Sequence, residues 1–337
     1  MGSSPITPDR IMQLGHAFRE SKALLSAVEL GVFTTLAQRP LPLETLREQL
    51  GINERGAHDF FDALVAVGML VRHRDGRYAN TPETDLYLDR NKPSYLGGVL
   101  EQQNVRHFGI WSNLTVALRT GQPQRGERAA ATFHALYNDN AARNLFVNAM
   151  GARTLPVAKA LAAKFPWSEY RTVVDVGCSQ GCVPVQIAEM HPHIIGGGFD
   201  LPHLAPHFED YVREHALSKR LRFYPGDFLN GAIPTAEVLI LGRVLHHWDL
   251  QTKKMLLKKA YDALPASGTL VVYERLIDDG RCANAVALLS SLNMLLTSTG
   301  GFDFTGADCK AWMEEAGFHR ICTDQLTSDH SMVVGIK

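Results

Sequence analysis

Residues 175–182 read DVGCSQGC, and three different chemistries fit them. Gly177-Cys178-Ser179-Gln180-Gly181 satisfies the G-x-S-x-G pattern of a hydrolase nucleophile elbow. Cys178 and Cys182 could be half of a metal or redox site. A glycine-flanked turn between a strand and a helix is also where nucleotide-like cofactors sit. The surroundings decide between the three.

Beyond residue 170, short β-branched runs alternate with helical segments. RTVVDVG (171–177) precedes the helical CVPVQIAEMHP (182–192), and IIGGGFDLP (194–202) precedes HFEDYVREHAL (207–217). LRFYPGDF (221–228), AEVLILGRVL (236–245) and GTLVVYERLI (268–277) read as further strands, with QTKKMLLKKAYDAL (251–264) helical before the last. This alternation predicts a parallel sheet covered on both faces, closed by a hairpin from HRICTDQL (319–326) and HSMVVGIK (330–337). Residues 10 to about 165 read mostly as helix. SKALLSAVELGVFTTL (21–36) spaces Leu24, Leu25, Val28, Val32 and Leu36 helically. A helix, a Gly51 turn, a second helix and a strand pair turning at Asp75-Gly76 follow, the order of a winged helix. Its second helix offers Glu54, Asp59 and Asp62 where a DNA reader needs cations, so packing or dimerisation accounts for it better than phosphate contact. The boundary between the halves is expected near 151–170.

The bulk numbers agree with an ordinary globular chain. It has 337 residues, 45% hydrophobic and 20% charged, and a formal charge of −1, which gives no global field to recruit nucleic acid or an anionic membrane. Five cysteines fit a reducing compartment. MGSSPITPDRIMQLGHAFRE holds no apolar core of signal-peptide length, and VALLSSLNMLL (286–296) is too short and polar to span a bilayer. A cytoplasmic protein is expected.

Context then eliminates two readings of the opening stretch. A nucleophile elbow lies deep in its sheet behind an oxyanion-hole loop, whereas TVVDVG is the first strand of its domain and no His-Gly-rich loop precedes it. A zinc site needs about four ligands, and Cys282, Cys309 and Cys322 stand alone, so no metal is expected and the thiols read as packing groups. The cofactor reading requires an acidic residue closing the second strand, where it holds ribose hydroxyls. Asp200 ends IIGGGFD, 25 residues after Asp175. Ser179 replaces the middle glycine of a dinucleotide fingerprint, which disfavours a pyrophosphate and hence NAD.

ALLSAVELGVFTTL with the winged helix, VVDVGCSQG, GFDLP, YPGDF, RVLHHWDL, YERLI and MLLTSTGGFDFT occur in one order. Together they resemble the cation-independent S-adenosylmethionine O-methyltransferases, the family of plant caffeic-acid and isoflavone enzymes and of bacterial secondary-metabolite tailoring enzymes. The resemblance covers nearly the whole chain. It implies an α/β fold, a Rossmann-like class I methyltransferase sheet over 166–337. It also implies a winged-helix-like dimerisation domain over 1–100 and a helical linker and acceptor-pocket region over 101–165. The chain would act as a homodimer through its N-terminal domain. S-adenosyl-L-methionine would be the donor, S-adenosyl-L-homocysteine the product, and a small aromatic hydroxyl compound the acceptor. Nucleic acid and membrane would play no part.

Carried over by residue, the resemblance places Asp175, Gly177, Cys178, Ser179 and Gly181 around the methionine part of the donor. Asp200 would bind ribose, and Leu201, Gly226, Asp227, Phe228, Arg243 and Trp248 would surround adenine. His246 would be the general base, flanked by Glu274 and Asp303. Phe146, Met150, His247, Asn293 and Met294 would line the acceptor pocket. The chain departs from the family at Ser179, a glycine there, at His247, an aspartate there, and at Asp303, a glutamate there; GGFDFT also lacks the family's arginine. His203 and His207 read as a solvated helix face, and adjacent His246 and His247, leaving a strand, are expected to point apart. A phenol titrates near 10 and histidine near 6.5, so a neutral imidazole is a serviceable base at pH 7. An acid on its far nitrogen would fix the tautomer. The departures leave room for N- or C-methylation or non-methylating chemistry on the same fold, and a non-catalytic DNA-binding regulator is the rival of another class.

Overall fold

The computed structural model describes residues 6–124 and 133–337. They form two compact units that divide between Gly109 and Ile110.

In the first unit a helix spans Asp9–Leu30, and Gly31 at φ +77° turns the chain into a short helix, Val32–Leu36. Helices Leu43–Gln49 and Glu54–Ala66 follow, the latter capped by Asn53, whose side chain accepts the Arg55 N–H. Strands β1 (Leu70–Arg72) and β2 (Tyr78–Asn80) pair antiparallel across a turn that needs Gly76 at φ +84°. Phe33, Leu46, Phe61, Leu64, Leu70 and Tyr78 make the core. Asp62 on the second helix is taken up inside the unit, by Arg72 and by the Tyr78 hydroxyl, each at 2.7 Å.

The second unit is built on β3 (Thr172–Val176), β4 (Ile195–Asp200), β5 (Leu221–Pro225), β6 (Val238–Gly242), β7 (Thr269–Glu274), β8 (His319–Gln325) and β9 (Ser331–Ile336). Their order across the sheet is β5-β4-β3-β6-β7-β9-β8. The first five are parallel, and the β8–β9 hairpin adds antiparallel to β7. Because successive residues of a strand face opposite ways, Val238 and Ile240 enter one apolar layer while Leu239 and Leu241 enter the other. That double burial is why these strands read as unbroken hydrophobic runs. The helix Asn140–Lys164 lays Val157, Ala158 and Leu161 against Val183 and Ile187 of the helix Cys182–Met190. The chain order reverses at β3, so the carboxyl ends of β3 and its neighbours form the crevice where open α/β sheets bind ligands. Among the described residues no helix is long and apolar enough to cross a membrane.

Candidate active site

Leaving β3, the chain passes through Gly177 at φ +83°, Ser179 at +52° and Gly181 at +87° before the helix begins at Cys182. Space as well as dihedral excludes side chains at the two glycines. A Cβ at Gly177 would lie 2.6 Å from Val244 Cγ2, and one at Gly181 2.5 Å from the Phe208 ring. Asp200 closes β4, and each of its carboxylate oxygens accepts one backbone N–H, from Ser179 at 2.9 Å and from Leu201 at 2.7 Å. Two lone-pair positions remain for a diol. Asp175 is buried beside it, and no cation among the described residues neutralises it. Burial and the Asp200 charge push its carboxyl up to about 8, and burial pushes Asp200 to about 6. Ser179 Oγ is buried without a partner. Two under-compensated acids, an orphaned hydroxyl and a turn kept open by two glycines fit a ligand that carries an ammonium and a ribose. The expected donor is such a ligand.

Other residues read from the sequence gather at this end. Leu201 packs with Leu136, Tyr137, Val147 and Leu204, and Phe146 joins them. Phe228 meets Trp248 edge to face, ring centres 6.0 Å apart. Gly226 is required because a Cβ would come within 2.4 Å of the Phe199 ring. The Asp227 carboxylate accepts the Leu229 N–H and the Asn230 amide, which shapes the turn after β5. Cys178 is a packing thiol set against Gly198 and Phe208.

A second cluster forms where β6 and β7 end. After Gly242 the chain takes Arg243 through φ +55° into a 3-10 turn, Leu245–His247. His246 is buried there, its Nδ1 2.6 Å from Glu274 Oε2, while its backbone N–H donates to Glu274 Oε1 at 3.3 Å. The donor atoms of His246, Glu274 and Asp303 all lie within 4.8 Å of one another. Such a trio has a metal-ligand composition, and the Nδ1–Oε2 hydrogen bond is what joins two of its members. Asp303 is buried, with Oδ2 unpartnered. Burial lowers the His246 imidazole far below its ordinary range. Asp303 opposes that, and Arg243, Lys253 and Arg275 reinforce it. Burial raises Glu274, and Arg243 is the foremost charge holding it down. The cations therefore hold the imidazole neutral and limit the rise of the Glu274 carboxyl, which burial carries to about 7. With Nδ1–H given to Glu274, the Nε2 lone pair is the one left to take a proton.

Two expectations need correction. His246 and His247 do not point apart, because the 3-10 turn has left the strand period; their rings lie 4.1 Å apart at 48°. His203 and His207 are half-buried rather than solvated, and His207 Nε2 is bonded to Asn144 at 2.8 Å. Half-buried His247 meets the edge of Phe133 at 5.0 Å, and Phe133 also contacts Phe146. Asn293 Oδ1 accepts the Trp111 indole N–H at 3.1 Å, Met294 is buried and Met150 half-buried. Arg243, assigned from the sequence to the adenine, is the foremost charge lowering Glu274.

Sequence reasoning missed Tyr137 and Lys253. The buried Tyr137 hydroxyl is raised by burial and by the Asp200 charge. Lys253 is fully buried, donates to the Trp248 carbonyl and holds its ammonium 3.2 Å from the Phe302 ring centre. It thereby pins the turn that carries His246 to the loop that carries Asp303.

Known proteins match this chain over most of its length. Residues 111–319 match the O-methyltransferase domain family and residues 12–90 the O-methyltransferase dimerisation domain. The tetracenomycin polyketide synthesis 8-O-methyl transferase TcmO of Streptomyces glaucescens is 41% identical, across 98% of this chain and 97% of that protein. The N,N-dimethyltransferase OxyT of Streptomyces rimosus is 34% identical, across 94% of each. The crystal structure of human N-acetylserotonin methyltransferase in complex with SAM superposes with a TM-score of 0.89 at 26% identity. That match covers 100% of this chain and 99% of the human one.

Proposed function

We propose, for a chain that belongs to the O-methyltransferase family and takes its methyl group from S-adenosylmethionine, that His246 is the base that prepares the acceptor hydroxyl. The observation that carries this reading is the buried 2.6 Å contact of His246 Nδ1 with Glu274 Oε2. When bound, the donor supplies a methyl carbon already made electrophilic by its sulfonium.

The chain's own residues supply position and proton transfer. Asp175, Asp200, Ser179 and the glycine turn hold the donor at the end of β3, with Leu201, Phe228 and Trp248 beside its base. His246 Nε2 takes the acceptor proton. Glu274 keeps the tautomer and stabilises the imidazolium, and Asp303 adds a second negative charge nearby. A positioned base of this kind contributes ~10²–10⁴-fold. Phe146, Met150, Asn293 and Met294 line the acceptor side. His247, a neutral imidazole that burial and the neighbouring cations hold unprotonated, can donate at one nitrogen and accept at the other, where the family's aspartate only accepts. The acceptor is a hydroxyl of a small aromatic compound of polyketide type, as the name of TcmO supports. Exchange of His246 for alanine should abolish methyl transfer while donor binding, followed by calorimetry, persists; turnover at the native rate would overturn the assignment.

The likeness to OxyT favours a second reading, transfer to an amine nitrogen. Paired hydroxyl and amine acceptors with labelled donor separate the two by the position of the label.

Residues 1–100 serve pairing with a second copy. Ile11, Leu14 and Phe18 follow one another along one face of the first helix and are 74%, 66% and 58% exposed. A groove of about 510 Å³ lined by Phe18, Lys22, Leu30, Ile52 and Phe60 lies in the same unit. Such a contiguous apolar surface is a partner site. Phe18→Glu should halve the particle mass seen by light scattering, and an unchanged mass would remove this face from the interface. All five cysteines are free, which supports a reducing, cytoplasmic setting.

A further inference from the structure

Across the sheet, Gly242 pairs with Tyr273, Tyr273 with Met332, and Glu274 with Ser331. The residues that follow β6 and β7 and precede β9 therefore stand in a row: Arg243, then Glu274 and Arg275, then His330. His330 is only 5% exposed. Its Nδ1 lies 3.0 Å from Asp329 Oδ1, which also accepts the Thr327 hydroxyl at 3.0 Å. Arg275 holds the other oxygen of Asp329 through Nε at 3.0 Å and Nη2 at 2.8 Å. Asp329 is thus an ionised, fully engaged carboxylate, and it fixes His330 as the Nδ1–H tautomer. His330 Nε2 is left as a lone pair, buried and without a partner. On the neighbouring side, Arg243 Nη1 is a buried donor without a partner. A buried polar group left unpaired costs ~1–3 kcal/mol, and here an orphan donor and an orphan acceptor occur at the ends of two strands with β7 between them.

We infer that His330 is a positioning residue: its Nε2 accepts from Arg243 Nη1 through one bridging water, and so holds the guanidinium at the end of β6, beside the strand that ends in Glu274. The inference rests on the reading of His246 and Glu274 as the base pair. The groups that face His330 are Arg243, Arg275 and Asp329. Those that act on the base pair are Arg243, Lys253, Arg275, Asp303 and His330, and Arg153 adds a further cation beside Arg243. Among them Arg243 is the foremost charge opposing the protonation that burial imposes on Glu274. A guanidinium released by loss of His330 would let Glu274 take a proton at higher pH. His246 would then lose its charged partner, and the acidic limb of the kcat profile would move upward.

The test uses the full-length enzyme with donor and acceptor at saturation, between pH 5 and pH 9. His330→Leu should raise the acidic limb by about one pH unit and lower kcat near pH 7 about tenfold, with KM for the acceptor unchanged. His330→Gln, which keeps an acceptor at the reach of Nε2, should restore the native limb. His330→Asn keeps a group near Asp329 but loses that reach, so it should shift like the leucine variant and serves where leucine does not fold. A native limb in the folded leucine or asparagine variant overturns the inference. So does a shift in the glutamine variant equal to that in leucine, which would make the effect one of packing. His246→Ala separates this from the reading beneath it: its inactivity alongside a native limb in His330→Leu defeats the role of His330 alone.

Discussion

Exchange of Glu274 for glutamine preserves the shape of the buried pair and removes its charge. Glu274 now offers one oxygen to His246 Nδ1–H at 2.6 Å and the other to the His246 backbone N–H at 3.3 Å. Glutamine has a single acceptor oxygen, so one of the two N–H groups must face an NH2 group. If the backbone keeps the oxygen, the ring is driven to the Nε2–H tautomer, whose Nε2 has no lone pair for the acceptor's proton. A hydrogen bond to a charged group contributes ~1.5–3 kcal/mol, which at about 1.4 kcal/mol per decade is a ~10–150-fold loss in rate. Burial of the pair and the tautomer conflict place the expected loss at the upper end, on the order of 100-fold in kcat. The assay is single-turnover transfer of labelled methyl, with donor affinity measured separately by calorimetry. Because Glu274 lies outside the Asp175–Asp200 cradle, that affinity should hold. A kcat within about threefold of the native enzyme, or a loss confined to donor binding, would refute the mechanism.

Further perturbations probe the rest of the site. Burial and Asp200 raise Asp175 to about 8 in the folded enzyme, above the unfolded value near 4, so the native state keeps a proton that the unfolded chain releases. Native stability should therefore fall as pH climbs through that window. Asp175→Asn should melt above the native enzyme at pH 8 without donor, the gap closing toward about pH 4, and bind donor more weakly; calorimetry with and without donor reads both. Gly181→Ala forces a Cβ into φ +87° within 2.5 Å of Phe208 and should cost ~2–4 kcal/mol in denaturant melts. Lys253→Met keeps the apolar stem and loses the tie to the Trp248 carbonyl. It should change stability by ~1 kcal/mol or less, since removing a buried ammonium offsets the lost bond, yet lower kcat about tenfold as the His246 turn loosens.

What the sequence made legible was local. The alternation of strands and helices, the glycines at 177 and 181 and the acid closing β4 are patterns of adjacent residues, and the sheet follows them. The partnership of His246 with Glu274 was reached through a resemblance, because 28 residues separate them and only the β6–β7 register brings them together. Lys253 shows why the remainder was hidden. In QTKKMLL it reads as one more cation on an amphipathic helix, and only the approach of Phe302, some fifty residues on, buries it. His330 is similar: nothing in SDHSMVV announces a buried imidazole, and its place beside Arg243 comes from strand order. The His246-His247 expectation failed for another reason, since the period of a strand was extended into a turn that Arg243 had already begun.

The packing of Cys178 has a practical consequence. Its sulfur fills the space a side chain at Gly198 would need, and burial raises its thiol, as it raises Cys309 and carries Cys182 to about 12. Alkylating reagents attack thiolates they can reach, and only Cys282 and Cys322 are exposed. A maleimide dye added to the native enzyme near neutral pH will therefore settle first on Cys282 in the 278–284 loop and more slowly on Cys322 of the C-terminal hairpin, whose thiol is raised by partial burial and by Asp324. Both positions spare the turn at 177–181, so distance reporters can be fitted to the working protein without engineering its cysteines first.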